Sequence, residues 1–299
     1  MEDILQLDSV EQYNDLFGFE TVNPLVTIVD FKDAKVRHDH ARMNYGIYAL
    51  FLKNGPGCRI KYGRKEYDYQ EGTIVSFAPG QMVTIETDPN IPTPSATGLL
   101  FHPDLVHGTS LGRKMKQYHF FDYTEAESLH LSEQERDIVR DCFKKIQLEM
   151  SFPIDKHSRN LLNVNIELLL DYCLRFYDRQ FSTREVAESD ILTNFEANLD
   201  KFFNSGEQRK YGLPTVKYFA DKAFLSPGYF GDLIRKETGK TAQEYIQNKI
   251  VNLSKEYLLS SNDSIGLIAD ALGFQYPQHF TRFFKKYVGS TPMQYRASV

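Results

Sequence analysis

The sequence predicts an α+β protein of two domains, with a β-rich first part and an all-helical last part. Residues 1–123 contain short runs of β-branched and aromatic residues separated by Gly and Pro, which is typical of strands and turns. From residue 192 onward apolar residues recur at helical spacing and no strand pattern remains. These two patterns predict three segments: a first domain at 1–181, a linker at 182–191 and a last domain at 192–299.

The distribution of charge supports this division. Residues 190–299 hold 14 Lys and Arg against 11 Asp and Glu, a net +3, whereas residues 1–189 hold 21 against 29, a net −8. Such asymmetry indicates an acidic module joined to a module with a different partner.

The composition is that of a folded protein and excludes several classes. The chain has 299 residues, 41% of them hydrophobic, with 22 Phe and 18 Tyr, so extensive disorder is not expected. Every stretch without a charged residue is shorter than about 18 residues, and we therefore expect no membrane-spanning helix. The acidic start, Met1–Ile4, is unlike a secretory signal. Cys58, Cys142 and Cys173 are too widely spaced for a disulfide framework, so we expect a cytoplasmic protein with reduced thiols.

The β-rich part has the spacing of a small barrel or sandwich. Its runs are separated by turn sequences such as Asn54–Gly57, Glu71–Gly72 and Pro79–Gly80. The runs that we expect to be strands are Leu25–Val29, Tyr45–Leu52, Ile74–Phe77, Met82–Glu86, Thr97–Phe101 and Tyr118–Tyr123. Many short strands at this spacing favour one of these two β architectures.

Two helices are expected to follow the strands. Ser132 and Glu135 have the spacing of a capping box, which predicts that the first helix begins after Ser132. The second helix is expected at about residues 157–176 and contains an unusually apolar stretch, Ile166–Leu174. We interpret this surplus of apolar surface as a self-association face, and a plain core helix is the alternative left open. The residues selected as dimer contacts are Leu161, Leu168 and Leu169.

The last domain contains a helix-turn-helix pattern. A helix with Val216, Phe219 and Ala220 on its apolar side is followed by a short turn. Ser226 can cap the next helix and Pro227 suits its first turn. That second helix is expected to end at Gly239, a common C-terminal cap residue.

The same pattern recurs near the C-terminus. Ser264–Leu272 predicts a first helix, Gly273–Phe274 a turn, and Tyr276–Tyr287 a second helix that ends at Gly289. Between the two units, Thr241–Leu259 predicts one long amphipathic helix. A helix of about 18 residues spans about 27 Å, which approaches the spacing of about 34 Å between successive major grooves on one face of B-DNA. The pattern therefore predicts two recognition helices in adjacent grooves.

The second recognition helix has an outer face suited to DNA. Its inner side is expected to carry Phe280, Phe283, Phe284 and Tyr287. The outer stripe consists of Gln278, Thr281, Arg282 and Lys285, with His279 and Lys286 on its flanks. Gln and Arg can make bidentate contacts to adenine and guanine edges, and Lys neutralises phosphate. A solvated cationic face is the alternative, but its place in a duplicated helix-turn-helix favours DNA contact.

The first recognition helix is poorer in such groups. Its outward positions are Gly228, Gly231, Asp232 and Arg235, with Lys236 beside them. Glycine offers no side-chain donor, and Asp232 repels phosphate or accepts from cytosine. We therefore expect the second unit to carry more of the direct base readout.

The last domain resembles the AraC/XylS family of bacterial transcription regulators. In the second unit the resemblance is carried by Ile268–Ala269, Leu272–Phe274, Phe280, Phe283–Lys286, Gly289, Thr291–Pro292 and Tyr295–Arg296. In the first unit it is carried by Ala220, Leu225–Ser226, Tyr229, Leu233 and Lys236–Gly239. The resemblance implies a monomeric module that binds asymmetric DNA through two helix-turn-helices. It places the family's base readers at Gly228, Gly231, Asp232, Pro277, Gln278, Thr281 and Arg282.

The N-terminal two thirds resemble, more loosely, the regulatory half of longer family members. In those proteins a small cupin-like β-barrel binds an effector and two following helices dimerise. The candidate effector-binding residues are His38, His40, Tyr45, Tyr48, His102 and His107. The aromatic residues among them also suit a packed core, and that alternative stays open.

The barrel lacks the donors of a cupin metal site. The segment His38–His40 supplies the first part of a cupin metal motif, but Glu66 is the first glutamate after it. Lys32 stands where the motif has Gly. Since a metal site needs three or four convergent donors, we expect no metal. We also expect no other cofactor and no catalytic residue.

Together these observations predict a sequence-specific regulator of transcription that binds promoter DNA. The resemblance implies control by a small-molecule effector and a homodimer, and an activator of this kind has RNA polymerase as a candidate further partner. Two alternatives stay open, a cupin-type metalloenzyme fused to a DNA-binding tail and an effector-independent regulator with a degenerate barrel.

Overall fold

The computed structural model describes residues 4–38, 40–53, 59–61, 72–86, 95–124, 127–183 and 185–297. The chain divides into a first unit, residues 1–183, and a second unit, residues 184–299. Helical backbone reaches Thr183 in the first unit and begins at Glu185 in the second, so the linker expected at 182–191 stays a prediction. Among the described helices, none combines the length and the hydropathy that crossing a bilayer requires.

Two sheets form the β-rich part of the first unit. The described strands are β1 Ile4–Leu7, β2 Val26–Asp30, β3 His40–Tyr45, β4 Tyr48–Lys53, β5 Arg59–Lys61, β6 Thr73–Phe77, β7 Gln81–Glu86, β8 Ala96–Phe101 and β9 Leu129–His130. Their orders are β1-β3-β7-β5 and β2-β8-β4-β6-β9, and only the β1–β3 pair is parallel in the described residues. The sequence prediction of a cupin-like barrel is not confirmed, because the described strands leave the two sheets unjoined.

One predicted strand is two strands in the structure. The run Tyr45–Leu52 contains the end of β3, a bend at Gly46 and Ile47, and most of β4. Gly46 lies against β1, where a Cβ atom would be 2.6 Å from the Asp8 Oδ1 and 2.9 Å from the Asp8 Cα. The bend therefore depends on the close approach of two backbones. The alternation of apolar and polar residues along the sequence does not indicate this approach.

The run Tyr118–Tyr123 is not a strand, and that prediction was wrong. Residues His119–Asp122 form a 3-10 turn instead. Two side chains from the adjacent hairpin donate to its carbonyls, Ser76 Oγ to Phe120 O and Gln81 Nε2 to Phe121 O, each at 2.8 Å. Because these side chains satisfy the carbonyls, the aromatic run is buried without joining a sheet.

Helices complete the first unit. They are α1 Val10–Phe17, α2 Pro103–Val106, α3 Ser110–Lys114, α4 Glu133–Met150 and α5 Ser158–Thr183. The predicted capping box is confirmed, since the Ser132 hydroxyl accepts from the Glu135 amide at 3.3 Å and the Glu135 carboxylate accepts from the Ser132 amide at 2.9 Å. Arg179 of α5 donates to the Glu135 carboxylate at 2.7 and 3.0 Å and to His130 O at 2.6 Å. These bonds hold α5 against α4 and against β9.

Apolar and aromatic side chains fill the space between the two sheets. Tyr45 stacks on Phe77 with ring centroids 5.5 Å apart, and Tyr13 of α1 approaches Tyr45 at 6.2 Å. The buried members of this cluster come from both sheets and from α1: Leu7, Tyr13, Phe17, Val29, Ala41, Met43, Tyr45, Ile47, Ala49, Phe51, Val75, Phe77, Val83 and Leu100. Packing of this kind stabilises the fold through the apolar area removed from water.

In the described residues of the second unit, the regular elements are all helices. They are α6 Glu185–Asn204, α7 Glu207–Tyr211, α8 Val216–Lys222, α9 Pro227–Thr238, α10 Ala242–Ser260, α11 Ile265–Ala271, α12 Pro277–Val288 and α13 Pro292–Ala297. The predicted helix-turn-helix pairs are confirmed as α8–α9 and α11–α12, and the predicted long helix is α10. One hydrophobic core contains Phe195 of α6, Ile246 and Ile250 of α10, and Phe280 and Phe284 of α12. Both helix-turn-helix pairs therefore pack on a common core.

Candidate nucleic-acid interface

The second recognition helix, α12, is oriented by its apolar side. Phe280 and Phe284 are fully buried. Phe284 also meets Tyr295 of α13 edge to face at 5.4 Å. The opposite side faces solvent, where Gln278, His279, Arg282, Lys285 and Lys286 are exposed and Thr281 is half-buried. The predicted stripe therefore lies together on one face of one helix.

The cations of this face are available to a ligand. Within the described residues, Arg282 and Lys285 make no ion pair or hydrogen bond with another side chain. Lys286 Nζ lies 5.0 Å from the centre of the Tyr287 ring. The Thr281 hydroxyl donates to Pro277 O at 3.0 Å, so in this rotamer its proton is used inside the helix. The face thus presents uncompensated positive charge with one amide side chain, Gln278.

The sequence pattern predicts Tyr287 on the inner side of α12, whereas the structure places it at the edge of that side. Its side chain is 38% exposed and its hydroxyl donates to Gln247 Oε1 of α10 at 2.7 Å. A tyrosine at the edge of the apolar stripe can bury its ring partly and keep its hydroxyl in a polar contact. This contact joins α12 to α10 near the exposed end of the stripe.

The first recognition helix, α9, has the local structure that the sequence predicts. The Ser226 hydroxyl accepts from the Tyr229 amide at 3.2 Å, and Gly239 ends the helix with φ 70°. Phe230, Leu233 and Ile234 are buried. The outward positions are Gly228, Gly231 and Asp232, which are half-buried, and Arg235 and Lys236, which are exposed. A Cβ atom at Gly231 would meet no atom within 4 Å, so packing does not require glycine there.

The helix α10 joins the two pairs. Thr241 caps it in a capping box with Glu244, whose carboxylate accepts from the Thr241 amide at 2.8 Å. This bond and the bond from the Thr241 hydroxyl lower the pKa of Glu244. The helix has 19 residues, which corresponds to a length of about 28 Å. Its buried side chains Ile246, Ile250 and Leu258 belong to the common core.

The candidate effector residues of the first unit lie in different surroundings. His38 Nε2 is 2.9 Å from Leu16 O, and its ring meets Phe17 edge to face at 5.5 Å. Tyr45 is buried, and burial raises the pKa of its hydroxyl although a hydrogen bond with Tyr13 lowers it. Tyr48 stacks on Phe101 at 5.0 Å. Tyr45 is thus a core residue, and the side chains of His38, Tyr45 and Tyr48 make their contacts with different residues.

The other candidate histidines are near short helices. His102 caps α2, since its Nδ1 accepts from the Asp104 amide at 3.1 Å. His107 ends the same helix and is exposed. The side chain of His40 and all of Asp39 and Glu66 lie outside the described residues. Among the side chains that are described, no group of three or more His, Cys, Asp and Glu could hold a metal ion.

The candidate dimer residues of α5 divide into two sets. Leu161 and Leu168 are 43% and 38% exposed, and Val164 between them is 51% exposed. Leu169 is fully buried, so it belongs to the inner side of α5 and not to a self-association face. The sequence pattern did not separate the two sides because apolar residues around Leu169 occupy more than one side of the helix. One apolar face of α5, defined by Leu161, Val164 and Leu168, remains exposed within the first unit.

Sequence reasoning missed the short helix α7 and its residues Glu207 and Gln208. Five residues are too few for a periodic pattern. Both residues are polar, and only their contacts reveal a role. The flanking Gly206 and Gly212, which have φ 78° and 77°, mark the ends of the segment.

Comparisons with known proteins match a helix-turn-helix family model and several regulators. A family model described as a helix-turn-helix domain matches residues 219–298. YobQ of Bacillus subtilis, an uncharacterized HTH-type transcriptional regulator, is 35% identical over 82 residues, which are 27% of this chain and 34% of the relative. The Transposon Tn10 TetD protein of Escherichia coli is 33% identical over 145 residues, which are 48% of this chain and 91% of TetD.

A solved structure also matches part of the chain. The C-terminal domain of the two-component response regulator yesN from Fusobacterium nucleatum is 28% identical, covers 34% of this chain and 98% of its own, and gives a TM-score of 0.31. The chain spans only 34%, 21% and 39% of YobQ and of the Bacillus subtilis proteins YesN and AdaA.

Proposed function

The chain belongs to the AraC/XylS family of transcription regulators, and from this premise we propose that it binds promoter DNA sequence-specifically through its second unit. The observation that carries the proposal is the outer face of α12. This face holds Gln278, Arg282 and Lys285 in solvent, on the side opposite the buried Phe280 and Phe284. A helix of that kind, presented by a helix-turn-helix pair, suits the major groove.

The residues of α12 divide by the part of DNA that they suit. Arg282 has two parallel donors that match the O6 and N7 atoms of guanine, and the amide of Gln278 matches the N6 and N7 atoms of adenine. Lys285 and Lys286 lie one turn further along the helix and suit phosphate oxygens, as His279 does when it is protonated. We therefore propose that Gln278 and Arg282 select the sequence and that the lysines position the helix.

In this proposal the first recognition helix mainly positions the second unit on the DNA backbone and reads few bases. Arg235 and Lys236 are exposed and can neutralise phosphate. Gly228 and Gly231 have no side chain, which allows the backbone of α9 to approach DNA closely at these two positions. Asp232 is the side chain on this face that can accept from a cytosine amino group.

The test is a set of affinities for a duplex that the full chain selects from a random pool. Arg282→Ala is expected to weaken binding by about 1–3 kcal/mol and to relax selection at one base pair. Lys285→Ala is expected to weaken all duplexes to a similar extent and to reduce the salt slope by about one. Arg113→Ala, an exposed arginine of α3 in the first unit, is the matched control and should change neither.

An unchanged affinity and an unchanged base preference in Arg282→Ala would contradict the assignment of this residue. Failure of the wild-type chain to enrich any sequence from the pool would contradict the proposed function itself.

We place the regulator in the bacterial cytoplasm, as a homodimer that contacts RNA polymerase when it activates. The exposed apolar face of α5 supports the homodimer. Effector control through the first unit rests on the domain organisation of the family. Since Tyr45 is a core residue, we expect a ligand to bind elsewhere in that unit and to raise its melting temperature in proportion to the logarithm of ligand concentration. A panel of sugars and aromatic acids, scanned by thermal shift, tests this expectation.

A further inference from the structure

The short helix α7 touches both helix-turn-helix pairs. It lies between the end of α6 and the start of α8 along the chain, and its neighbouring residues Glu207 and Gln208 point to different pairs. The Glu207 carboxylate accepts from the Tyr218 hydroxyl of α8, and Lys222 Nζ of α8 lies 3.9 Å from Glu207 Oε2. The Gln208 amide donates to Ala271 O of α11 at 2.9 Å. One turn of helix thus bonds to the first helix of each pair.

The bond from Gln208 is shielded from water. Gln208 is 4% exposed, and its Nε2 also donates to Phe203 O at the end of α6 at 3.2 Å. Ala271 is the last residue of α11, so its carbonyl has no partner within the helix. Loss of the amide donor would therefore leave a carbonyl without its protein partner, which is more costly than losing an exposed hydrogen bond.

The turn between α11 and α12 rests directly on α7. A Cβ atom at Gly273 would lie 2.9 Å from Gln208 O and 3.0 Å from Gln208 Cβ. Gly273 also has φ 88°. The turn that sets the start of the second recognition helix can therefore approach α7 this closely only because residue 273 has no side chain.

The bond from Glu207 attaches α7 to the first pair. Tyr218 packs its ring on Phe202 of α6 at 5.1 Å, edge to face, while its hydroxyl reaches Glu207. Lys222 Nζ lies 4.4 Å from the centre of the same ring. The hydroxyl bond and the nearby Lys222 lower the pKa of Glu207, so this carboxylate stays charged near neutral pH. The first pair is therefore attached to α7 by a directional hydrogen bond to a charged carboxylate, in addition to apolar packing.

The helix α10 is one connection between the two pairs, and α7 is another. The helix α10 reaches the second pair through the link Ser261–Ser264, through the bond from the Tyr287 hydroxyl to Gln247, and through apolar contacts in the common core, which are non-directional. Hydrogen bonds such as that from Gln208 to Ala271 O require both a distance and a direction. A second connection, remote from α10 along the chain, removes rotations that the first one allows.

We propose that α7 is a positioning element, in which Glu207 and Gln208 fix the separation and angle of α9 and α12 so that both fit successive major grooves. The inference rests on the proposed DNA-binding function, and Gln208 and Glu207 act through the two recognition helices without touching DNA. Its consequence is a strict requirement for the spacing between the two parts of the operator. One base pair changes that spacing by about 3.4 Å and about 35°.

The first test measures the distance between the recognition helices in the full chain without DNA. Spin labels at Lys236→Cys and Lys286→Cys, in a Cys58→Ser background, report on the exposed faces of α9 and α12, while Cys142 and Cys173 are buried and stay unlabelled. Double electron–electron resonance should give one narrow distance distribution. Gln208→Met, which keeps the length of the side chain and removes its donors, should broaden it. Gln243→Met, an exposed glutamine of α10, is the matched control and should leave it unchanged.

The second test uses the duplex that the wild-type chain selects from a random pool, with one base pair inserted or removed between its two contacted parts. Wild type should lose about tenfold in affinity, equivalent to about 1.4 kcal/mol. Gln208→Met should lose less than about threefold between the same duplexes. A role in stability alone would lower the affinity for every duplex equally and would keep the spacing preference.

Tyr218→Phe provides a second variant if Gln208→Met does not fold. It keeps the ring packing on Phe202 and removes the hydroxyl that holds Glu207, so it should broaden the distance distribution in the same way. A distribution as narrow as that of wild type in both variants, or an unchanged spacing preference, would overturn the proposal. If wild type selects no duplex, the proposed function fails, and the spin-label distances still decide whether α7 fixes the two helices.

Discussion

At the scale of single residues, the turns of the two helix-turn-helix pairs have different residue types at one equivalent position. Phe224 and Gly273 both have left-handed backbone, with φ 58° and 88°. Their amides make equivalent bonds, from Phe224 to Asp221 O at 3.2 Å and from Gly273 to Asp270 O at 2.9 Å. Glycine adopts this conformation freely, whereas a residue with a Cβ is strained there. The first turn therefore contains strain that the second avoids.

Replacing Phe224 should stabilise the second unit. The left-handed conformation costs a non-glycine residue about 1–2 kcal/mol, and the greater freedom of glycine in the unfolded chain offsets about 0.5–1 kcal/mol of the gain. Because Phe224 is 79% exposed, little burial is lost. We expect Phe224→Gly to raise the free energy of unfolding by about 0.5–1 kcal/mol, measured by chemical denaturation. Phe224→Ala keeps the strained backbone and should not stabilise, and equal stability of the two variants would contradict this account.

At the scale of elements, α13 joins α10 to α11 through one side chain. Arg296 Nε donates to Leu258 O, near the end of α10, at 3.0 Å, and its Nη1 donates to Asp263 O, just before α11, at 2.8 Å. Two separated carbonyls thus share one guanidinium, whose planar fork suits both. The arrangement fixes how α11 leaves the end of α10.

Removing this guanidinium should loosen the second pair. We expect Arg296→Ala to lower the free energy of unfolding of the second unit by about 1.5–3 kcal/mol, the range for hydrogen bonds that involve a charged group. Arg296→Lys retains the charge but cannot reach both carbonyls, so it should recover less than half of the loss. Hydrogen exchange of the α11 amides measures the local effect. Protection equal to that of wild type in Arg296→Ala would show that Arg296 does not tie these helices.

Elements with strong local signals could be predicted from the sequence, and elements defined by contacts could not. The helices α4, α9 and α10 begin at Ser132, Ser226 and Thr241, whose side chains are recognisable caps. The bend at Gly46 and the 3-10 turn after Tyr118 depend on Asp8, Ser76 and Gln81, which are remote in sequence. The residue types within these two segments do not indicate which remote residues they will contact.

The candidate site shows the same distinction. Arg282 and Lys285 could be placed on one exposed face because helical spacing alone separates them from Phe280 and Phe284. Tyr45 could not be assigned to core or pocket, because an aromatic strand residue suits both. Only its contacts with Tyr13 and Phe77 place it in the core.

At the scale of the whole molecule, the charge of the second unit limits how it can bind DNA. Its segment 190–299 has a net charge of only +3, while the rest of the chain has −8. Non-specific affinity depends on phosphate neutralisation and falls steeply with salt. With so small an excess of positive charge, we expect tight binding to an operator to require base contacts from α12, a second copy of the chain, or both.

The exposed face of α5 is the surface that can supply the second copy. Leu161, Val164 and Leu168 lie on one side of the helix and are 43%, 51% and 38% exposed. Glutamate at Leu161 and Leu168 would place charge in a contact between two such faces while leaving the core of the first unit intact, since neither side chain is buried. We therefore expect the wild-type chain to be a dimer at micromolar concentration and the double variant Leu161→Glu, Leu168→Glu to be a folded monomer. Sedimentation velocity over a concentration series measures both.

A matched control is available in the second unit. Leu267 is 60% exposed on α11, so Leu267→Glu introduces the same charge at an exposed leucine of a different helix and should leave the dimer unchanged. Leu169→Glu does not serve this purpose, because Leu169 is fully buried and a charge there would unfold the first unit. A monomeric wild type, or a double variant that sediments as the wild-type dimer does, would remove α5 as the dimer surface. The affinity that the small positive charge cannot provide would then have to come from the contacts of a single α9–α12 pair.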